Sequence, residues 1–157
     1  MERKFTSPAH IGLQGGSNGG LLVGAVMVQR PELFGAVVCQ VPLLDMKRFN
    51  QLLAGASWVD EYGNPDDPAQ AEALKAYSPY HNVRAGMRYP RVLFTTSTRD
   101  DRVHPGHARK MMARMQEQGH DVLYFENTEG GHALSVNNIQ AARMAALELT
   151  FLWESLR

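Results

Sequence analysis

The stretch Gln14-Gly15-Gly16-Ser17-Asn18-Gly19-Gly20 decides how the rest of the chain is interpreted. An apolar run at residues 9–13 precedes it and a longer run at residues 21–28 follows, so we expect a strand, a sharp turn and a helix. Ser17, with the glycines two positions before and after it, fits the pattern G-x-S-x-G of a nucleophilic serine on a strained turn. Side chains at the glycine positions would collide with the strand and the helix. The alternative is a glycine-rich turn whose serine caps a helix.

Composition excludes several classes of protein. The 157 residues are 44% apolar and 20% charged, which is typical of one globular domain spanning residues 1–157. The net charge is zero and no basic patch stands out, so we expect neither nucleic-acid nor membrane binding. Residues 1–8 are charged and lack the apolar run of a signal peptide. The single cysteine, Cys39, lies in an apolar run, reads as a core residue and favours a reducing, cytoplasmic location.

Strands and helices alternate along the chain. We expect strands at residues 9–14, 34–41, 91–96 and 121–126, and helices at residues 19–30, 69–77, 105–118 and 137–156. This alternation predicts a parallel sheet with helices on both of its faces. In the last helix, the residues expected to face inward are Ile139, Ala142, Ala146, Leu149 and Leu152 or Trp153.

A reactive serine needs a general base, and the base needs an acid that orients it. In open α/β sheets, functional groups collect at the carboxyl ends of the strands. The third strand is followed by Asp100 and Asp101, and the fourth by a glycine-containing loop with His132. The order serine, aspartate, histidine is that of α/β-hydrolases. His132 is therefore the predicted base and either aspartate the acid, although the aspartates could also form a solvated turn or cap a helix.

The other histidines give no clear site. We expect His10 to be structural and His81 and His120 to lie in solvated turns. His104 and His107 flank Pro105-Gly106 beside the two aspartates, but no further ligand is evident there. The sequence therefore predicts no metal site and no cofactor.

The chain resembles the prolyl oligopeptidase family of serine peptidases along nearly its whole length. The matching segments are residues 15–22, residues 29–34, Ser57-Trp58 with Glu61-Tyr62-Gly63, residues 77–83, and Asp100-Asp101-Arg102-Val103 with Pro105. The resemblance implies a partial α/β-hydrolase fold with about four parallel strands, corresponding to the C-terminal part of the catalytic domain. It also implies cleavage after proline in short peptides through an acyl-enzyme. The family's β-propeller and the first strands of its sheet are expected to be absent.

The resemblance assigns the catalytic roles to individual residues. It implies that Asp100, rather than Asp101, orients His132. It also implies that the backbone N–H of Asn18 is one donor of the oxyanion hole, as expected for the residue after the nucleophile. The loop that supplies the second donor is expected to be absent, and losing one such donor typically lowers kcat by about 10²–10³-fold.

The resemblance also implies a substrate pocket. Arg102 resembles the arginine that binds a backbone carbonyl of the substrate. Trp58 resembles the tryptophan that stacks on the proline at the cleavage point, where a flat ring suits the pyrrolidine face. Tyr62 and Val103 resemble further lining of this pocket. For Trp58 the alternative is an ordinary core tryptophan.

Two other functions stay open. An esterase or an acylaminoacyl-type peptidase would use the same catalytic residues on other substrates. A truncated half-domain without catalysis would act only through self-association or partner binding. We expect self-association, because the strand at residues 9–14 would have lost its outer neighbour and such an edge invites pairing with another chain.

Overall fold

A computed structural model describes residues 5–157, so the first half of the charged segment 1–8 lies outside the described residues. The strands are β1 (Gly12–Gly16), β2 (Ala36–Gln40), β3 (Arg91–Ser97) and β4 (Val122–Asn127). The helices are α1 (Asn18–Gln29), α2 (Val59–Tyr62), α3 (Pro68–Tyr77), α4 (Pro79–Asn82), α5 (Gly106–Glu117) and α6 (Asn138–Leu156). Short 3-10 helices cover Pro8–His10, Pro31–Leu33, Phe49–Gln51 and Leu53–Trp58.

The four strands form one sheet in the order β1-β2-β3-β4, and every neighbouring pair is parallel. Gly16 lies opposite Gln40, and Gln40 lies opposite Thr95, so the carboxyl ends of the strands meet at one rim of the sheet. The loops that follow β1, β3 and β4 therefore start close together. This topology confirms the predicted sheet of about four parallel strands.

Helices cover both faces of the sheet, as the sequence predicts. The strand β2 is buried on both sides, because its side chains alternate between two separate cores. The larger core joins α1 and α5 to the sheet and contains Val23, Met27, Val37, Cys39, Val92, Phe94, Met111 and Met115. The smaller core joins α6 to Ala36, Val38 and Leu93 through Phe151. The prediction that Cys39 is a core residue is confirmed, and burial raises the pKa of its thiol.

Two predicted boundaries near the start were wrong. Residues 8–10 form a turn of 3-10 helix with Pro8 in its first position, which suits the fixed φ angle of proline. His10 belongs to this turn and its ring contacts Ser7 Oγ at 2.8 Å. The strand β1 begins at Gly12 and continues through the glycines to Gly16, because parallel pairing with β2 continues to that residue.

The predicted inner face of α6 was also wrong, except at Leu152. Ile139, Leu149 and Trp153 are 67%, 63% and 69% exposed, and Ala142 and Ala146 are exposed as well. The side chains that α6 buries are instead Met144, Glu148 and Phe151, with Leu152 half-buried beside them. Glu148 is buried where the pattern of apolar residues predicts an exposed position. The helix therefore turns a different side toward the sheet from the one that the pattern predicts. The name "α6 outer face" is used below for Ile139, Leu149 and Trp153.

The predicted turn around His81 is a short helix, α4, rather than an open connection. The N–H of Tyr80 donates to the carbonyl of Leu44 at 2.9 Å, which ties α4 to the loop after β2. His81 is half-buried, and its Nδ1 lies 2.9 Å from Ser78 Oγ. It is thus a packed side chain and not a solvated one. Within residues 5–157, no helix combines the length and apolar character needed to cross a bilayer.

Candidate active site

Ser17 stands at the turn between β1 and α1 with a left-handed backbone, φ 58° and ψ −116°. Its N–H donates to the carbonyl of Gln40 at 2.9 Å, which anchors the turn to the neighbouring strand. A Cβ atom at position 15 would lie 2.3 Å from the carbonyl oxygen of Gly19, so only glycine fits there. The Ser17 side chain makes no capping hydrogen bond to α1. The hydroxyl is therefore presented at the rim of the sheet, and the helix-cap alternative was wrong.

Three side chains from separate loops form one hydrogen-bonded chain at this rim. His132 Nε2 lies 3.0 Å from Ser17 Oγ, and His132 Nδ1 lies 2.9 Å from Asp100 Oδ2. The Asp100 side chain is fully buried and the His132 side chain is 15% exposed. Asp101, in contrast, is exposed. The structure thus brings Ser17, His132 and Asp100 together and leaves the other candidate acid outside.

Asp100 is held in place by the backbone that follows it. Its Oδ1 accepts hydrogen bonds from the N–H groups of Arg102 and Val103, each at 2.9 Å. These two N–H groups hold the carboxylate in place against the imidazole of His132. The turn also orients the two residues for which the sequence predicts substrate contacts: Val103 is buried and Arg102 is exposed.

Three of the predicted pocket residues belong to one apolar cluster next to Ser17. Val103 is a buried member, together with Leu21, Leu43, Met46, Phe49 and Leu74, and the half-buried Trp58 and Tyr62 pack against it. The Tyr62 ring meets the Phe49 ring edge to face, with centroids 5.5 Å apart. Burial raises the pKa of the Tyr62 hydroxyl, and the charge of Glu61 adds to this.

Asn18 connects this cluster to the turn that carries Ser17. The Tyr62 hydroxyl donates to Asn18 Oδ1 at 2.8 Å, so the cluster is fixed to the first residue of α1. The backbone N–H of Asn18 is among the N–H groups that start this helix, and such groups lie at the positive end of its dipole. The family resemblance implied a role for the backbone of Asn18 only, and no spacing in the sequence indicated the contact of its side chain with Tyr62.

A buried histidine, His107, makes hydrogen bonds at the place where the sequence shows only two histidines flanking Pro105-Gly106. The His107 Nδ1 atom accepts the backbone N–H groups of Leu44 and Asp45 at 3.3 and 3.1 Å. Burial lowers the pKa of His107 to about 4, so the ring is neutral at pH 7. The Asp45 carboxylate pairs with Lys110 on α5. Among the described residues, no three His, Cys, Asp or Glu side chains are grouped to hold a metal ion.

A buried carboxylate lies under the same rim, on the α6 side of the sheet. Glu148 accepts hydrogen bonds from Gln14, Gln40 and Thr95 at 3.0, 2.7 and 3.3 Å, one donor from each of β1, β2 and β3. Burial raises the pKa of Glu148, while the three donors oppose this shift. The helix that follows the His132 loop is thereby tied to the strand that precedes Ser17.

Comparisons of the sequence place the chain among known peptidases. The sequence model of the Prolyl oligopeptidase family matches residues 1–157. An uncharacterized peptidase of Sinorhizobium fredii is 54% identical over 156 residues, which cover 99% of this chain and 22% of that protein. The prolyl endopeptidase of Elizabethkingia miricola is 42% identical over 151 residues, covering 94% of this chain and 21% of the relative. The chain thus spans about a fifth of the length of these relatives.

Solved structures agree with the sequence relatives. A post-proline cleaving enzyme from Rickettsia typhi superposes with a TM-score of 0.96 at 41% identity, over 99% of this chain and 23% of that one. A structure from a study of two prolyl endopeptidases gives a TM-score of 0.95 at 44% identity, over 99% of this chain and 23% of the other. The four-stranded sheet with its helices is therefore part of an α/β-hydrolase catalytic domain, and the chain belongs to the prolyl oligopeptidase family.

Proposed function

We propose that the chain carries the catalytic residues of a serine peptidase that cleaves after proline in short peptides. The observation that carries the proposal is the hydrogen-bonded chain from Ser17 Oγ through His132 to the buried Asp100. Relatives named prolyl endopeptidase and a post-proline cleaving enzyme support the substrate class. Prolyl oligopeptidase B of Galerina marginata, 31% identical, has been solved with peptide substrates as serine, aspartate and histidine variants.

The proposed reaction has two stages. Ser17 Oγ attacks the acyl carbon of the substrate while its proton passes to His132 Nε2, and the carbonyl oxygen becomes an oxyanion facing the Asn18 N–H. His132 then gives this proton to the leaving nitrogen as the carbon–nitrogen bond breaks, which leaves an acyl-enzyme. Water then attacks the acyl carbon while His132 Nε2 takes its proton, and His132 returns that proton to Ser17 Oγ as the ester bond breaks and the carboxylic acid leaves. Asp100 keeps the proton of the imidazole on Nδ1 and stabilises the imidazolium.

The apolar cluster beside Ser17 supports the proposed preference for proline. Trp58, Tyr62 and Val103 lie in one cluster, and the Tyr62–Asn18 hydrogen bond fixes it to the nucleophile turn. An aromatic ring offers the flat apolar surface that a pyrrolidine ring needs. Arg102 is exposed next to this cluster and can bind a carbonyl of the substrate backbone.

Replacement of Ser17 by alanine tests the nucleophile directly. The wild-type chain is expected to react with a fluorophosphonate, because Oγ can attack phosphorus and expel fluoride when His132 removes its proton. The Ser17→Ala variant is expected to show no labelling, measured by mass spectrometry of the intact chain. Labelling that persists in this variant, or a folded wild-type chain that does not react, would remove Ser17 from the proposed role.

An esterase or an acylaminoacyl-type peptidase uses the same three side chains, so the substrate pocket must distinguish them. Chromogenic amides that differ only in proline or alanine before the scissile bond provide the comparison. Proline is expected to react faster, and Trp58→Ala is expected to reduce that preference by about tenfold, the loss of one aromatic contact of ~1.4 kcal/mol. Equal rates for the two amides would favour the esterase or acylaminoacyl alternative.

A second candidate function rests on exposed surfaces of this chain. Among the described residues, β1 pairs with β2 alone, so its other side presents unpaired backbone N–H and C=O groups. The α6 outer face exposes three large apolar side chains, and the net charge of zero gives no repulsion between copies. We propose that the isolated chain associates with a second copy through these surfaces, whether or not it is catalytic.

A further inference from the structure

The last residue of β4, Asn127, spans the start and the end of the loop that carries His132, residues 128–137. The Asn127 Oδ1 atom accepts the N–H groups of Glu129 and Gly130 at 2.9 and 3.3 Å. The Nδ2 atom donates to the carbonyl of Leu134 and, at 3.1 Å, to Gln140 Oε1. The donor and the acceptor of this one amide are therefore both used, on opposite sides of His132.

The loop shows why such a brace is needed. Leu134 is held at φ 67°, a conformation that costs energy for a residue with a side chain. A Cβ atom at position 130 would lie 2.2 Å from the Leu134 carbonyl oxygen, so the two sides of the loop touch. Because this geometry is unfavourable by itself, contacts from outside the loop must hold it, and Asn127 reaches both Gly130 and Leu134.

Gln140, in the first turn of α6, extends the brace to the helix. Its Oε1 accepts the N–H of Val136 at 3.1 Å and its Nε2 donates to Glu129 Oε2 at 2.6 Å. Its own N–H donates to the side chain of Asn137, which caps α6. The entry and the exit of the His132 loop are thus linked through two amide side chains.

The same residue also contacts the loop that carries Asp100. The carbonyl of Asn127 accepts the N–H of Thr98 at 2.9 Å, two positions before Asp100. The hydroxyl of Thr98 donates to Glu126 Oε1 at 2.6 Å, and hydrogen bonding by Arg109 lowers the pKa of that glutamate to about 2. The end of β4 therefore holds the backbone before Asp100 on one side and the backbone around His132 on the other.

We infer that Asn127 is a positioning residue that sets the distance between His132 and Asp100, and thereby between His132 and Ser17. Its backbone fixes the loop of Asp100 and its side-chain amide fixes the loop of His132. One residue therefore sets the positions of both loops relative to each other. The effect on catalysis rests on the proposed function, whereas the effect on the His132–Asp100 hydrogen bond does not.

The test compares Asn127→Ala and Asn127→Asp with the wild-type chain. Aspartate keeps the acceptor for Glu129 and Gly130 but loses the donor to Leu134 and Gln140, and alanine loses the acceptor and the donor. The first readout is the low-field proton NMR signal of His132 Nδ1–H on Asp100, assigned by its absence in His132→Gln. The second is the rate of fluorophosphonate labelling. We expect Asn127→Ala to lose the signal and label about 10²-fold more slowly, because a displacement near 1 Å has this cost.

Asn127→Asp is expected to retain a weakened signal and to label about tenfold more slowly, because the start of the loop stays held while both hydrogen bonds donated by Nδ2 are lost. Asn138→Ala is the matched control, because Asn138 is an exposed asparagine in the first turn of α6. It should match the wild type in both readouts. Circular dichroism and thermal melting establish that each variant is folded; if Asn127→Ala does not fold, Asn127→Asp decides.

Two outcomes would overturn the inference. One is a folded Asn127→Ala chain, or a folded Asn127→Asp chain if alanine fails, with the wild-type signal and rate. The other is a lower melting temperature with both readouts unchanged below it, which would make Asn127 a stabilising residue only. A wild-type chain that shows the His132 signal but does not label contradicts the proposed function instead, and the NMR comparison then still decides the role of Asn127.

Discussion

At the scale of single residues, the turn around Ser17 is tightly constrained. Its left-handed φ of 58° is costly for a serine and persists because the hydrogen bond to Gln40 of β2 and tight packing against α1 hold it. Two glycines of the same motif differ in what a side chain would meet. At Gly15 a Cβ atom would approach the Gly19 carbonyl to 2.3 Å, whereas at Gly19 it would meet no atom within 4 Å.

This difference predicts opposite effects of the same substitution. Gly15→Ala is expected to lower the free energy of unfolding by at least about 2 kcal/mol, because the backbone must shift to relieve the clash. Gly19→Ala is expected to raise it by up to about 1 kcal/mol, because alanine is the better residue within a helix. Urea unfolding followed by circular dichroism measures both. Equal destabilisation by the two substitutions would contradict the geometry of the turn.

At the scale of elements, hydrogen bonds to buried ionisable groups hold the loops and the last helix. His107, on α5, accepts two N–H groups of the loop after β2 and thereby fixes the loop whose Leu43 and Met46 enter the pocket cluster. Glu148 fixes α6 to three strands. Since the pKa of one group is lowered and that of the other is raised, they make opposite contributions to the pH dependence of stability.

For His107, the folded chain has a pKa of about 4 against an ordinary value of 6.5. Between these values the unfolded chain binds the extra proton, so the free energy of unfolding rises with pH and the contribution is complete above 6.5. The wild type is expected to gain about 3 kcal/mol relative to His107→Gln across this window. Urea unfolding at several pH values measures this, and a constant difference between the two proteins would contradict a buried neutral imidazole.

For Glu148, the pKa is raised above its ordinary value of 4.5, so the folded chain keeps a proton that the unfolded chain has lost. The free energy of unfolding therefore falls as pH rises through the folded pKa. Glu148→Gln removes this fall in the free energy of unfolding, because glutamine carries no charge. The oxygen of the new side-chain amide still accepts hydrogen bonds, and the amides of Gln14 and Gln40 can rotate so that an oxygen faces its N–H. The variant is expected to melt at a higher temperature than the wild type at pH 8, with the gap closing below pH 4.5. A gap that is the same at both pH values would show that the charge on Glu148 is not what costs stability.

At the scale of the whole molecule, the exposed surfaces determine how the isolated chain should behave. The relatives are more than four times as long as the matched part, as the coverage of 22% shows. The open side of β1 presents unpaired backbone groups, and the α6 outer face is apolar. Small domains rarely expose such surfaces to solvent. If the isolated chain associates with a second copy, these two surfaces become buried between the copies.

The α6 outer face provides the variant for testing self-association. At micromolar concentration, light scattering is expected to give a mass above the 17.5 kDa of one chain. Trp153→Glu is expected to weaken association by at least tenfold, because a large aromatic side chain typically carries more than about 1.4 kcal/mol at an interface. Met87→Glu, at an exposed apolar position outside that face, is the control. A wild-type chain that stays monomeric throughout would contradict the proposal.

The sequence by itself determined the order of the four strands and the four longer helices, the turn around Ser17, and the histidine that meets it. These features follow from local patterns: a run of apolar residues specifies a buried strand, and glycine at position 15 leaves the space that the turn needs where β1 meets α1. The choice of Asp100 over Asp101 needed the family resemblance, because the sequence alone does not distinguish two adjacent aspartates. The structure places Asp100 against His132 because the N–H groups of Arg102 and Val103 hold its carboxylate there.

Only the tertiary structure decided which way α6 faces, where His107 and Glu148 lie, and that Asn127 touches both loops. Periodicity assigns apolar side chains to the inside, but in α6 a glutamate is buried because Gln14, Gln40 and Thr95 supply hydrogen bonds from three strands. Such partners lie far apart in the chain and meet only when the parallel sheet aligns the ends of its strands. The physical reason is that hydrogen bonding between distant residues leaves no period or spacing in the sequence, whereas local backbone sterics do.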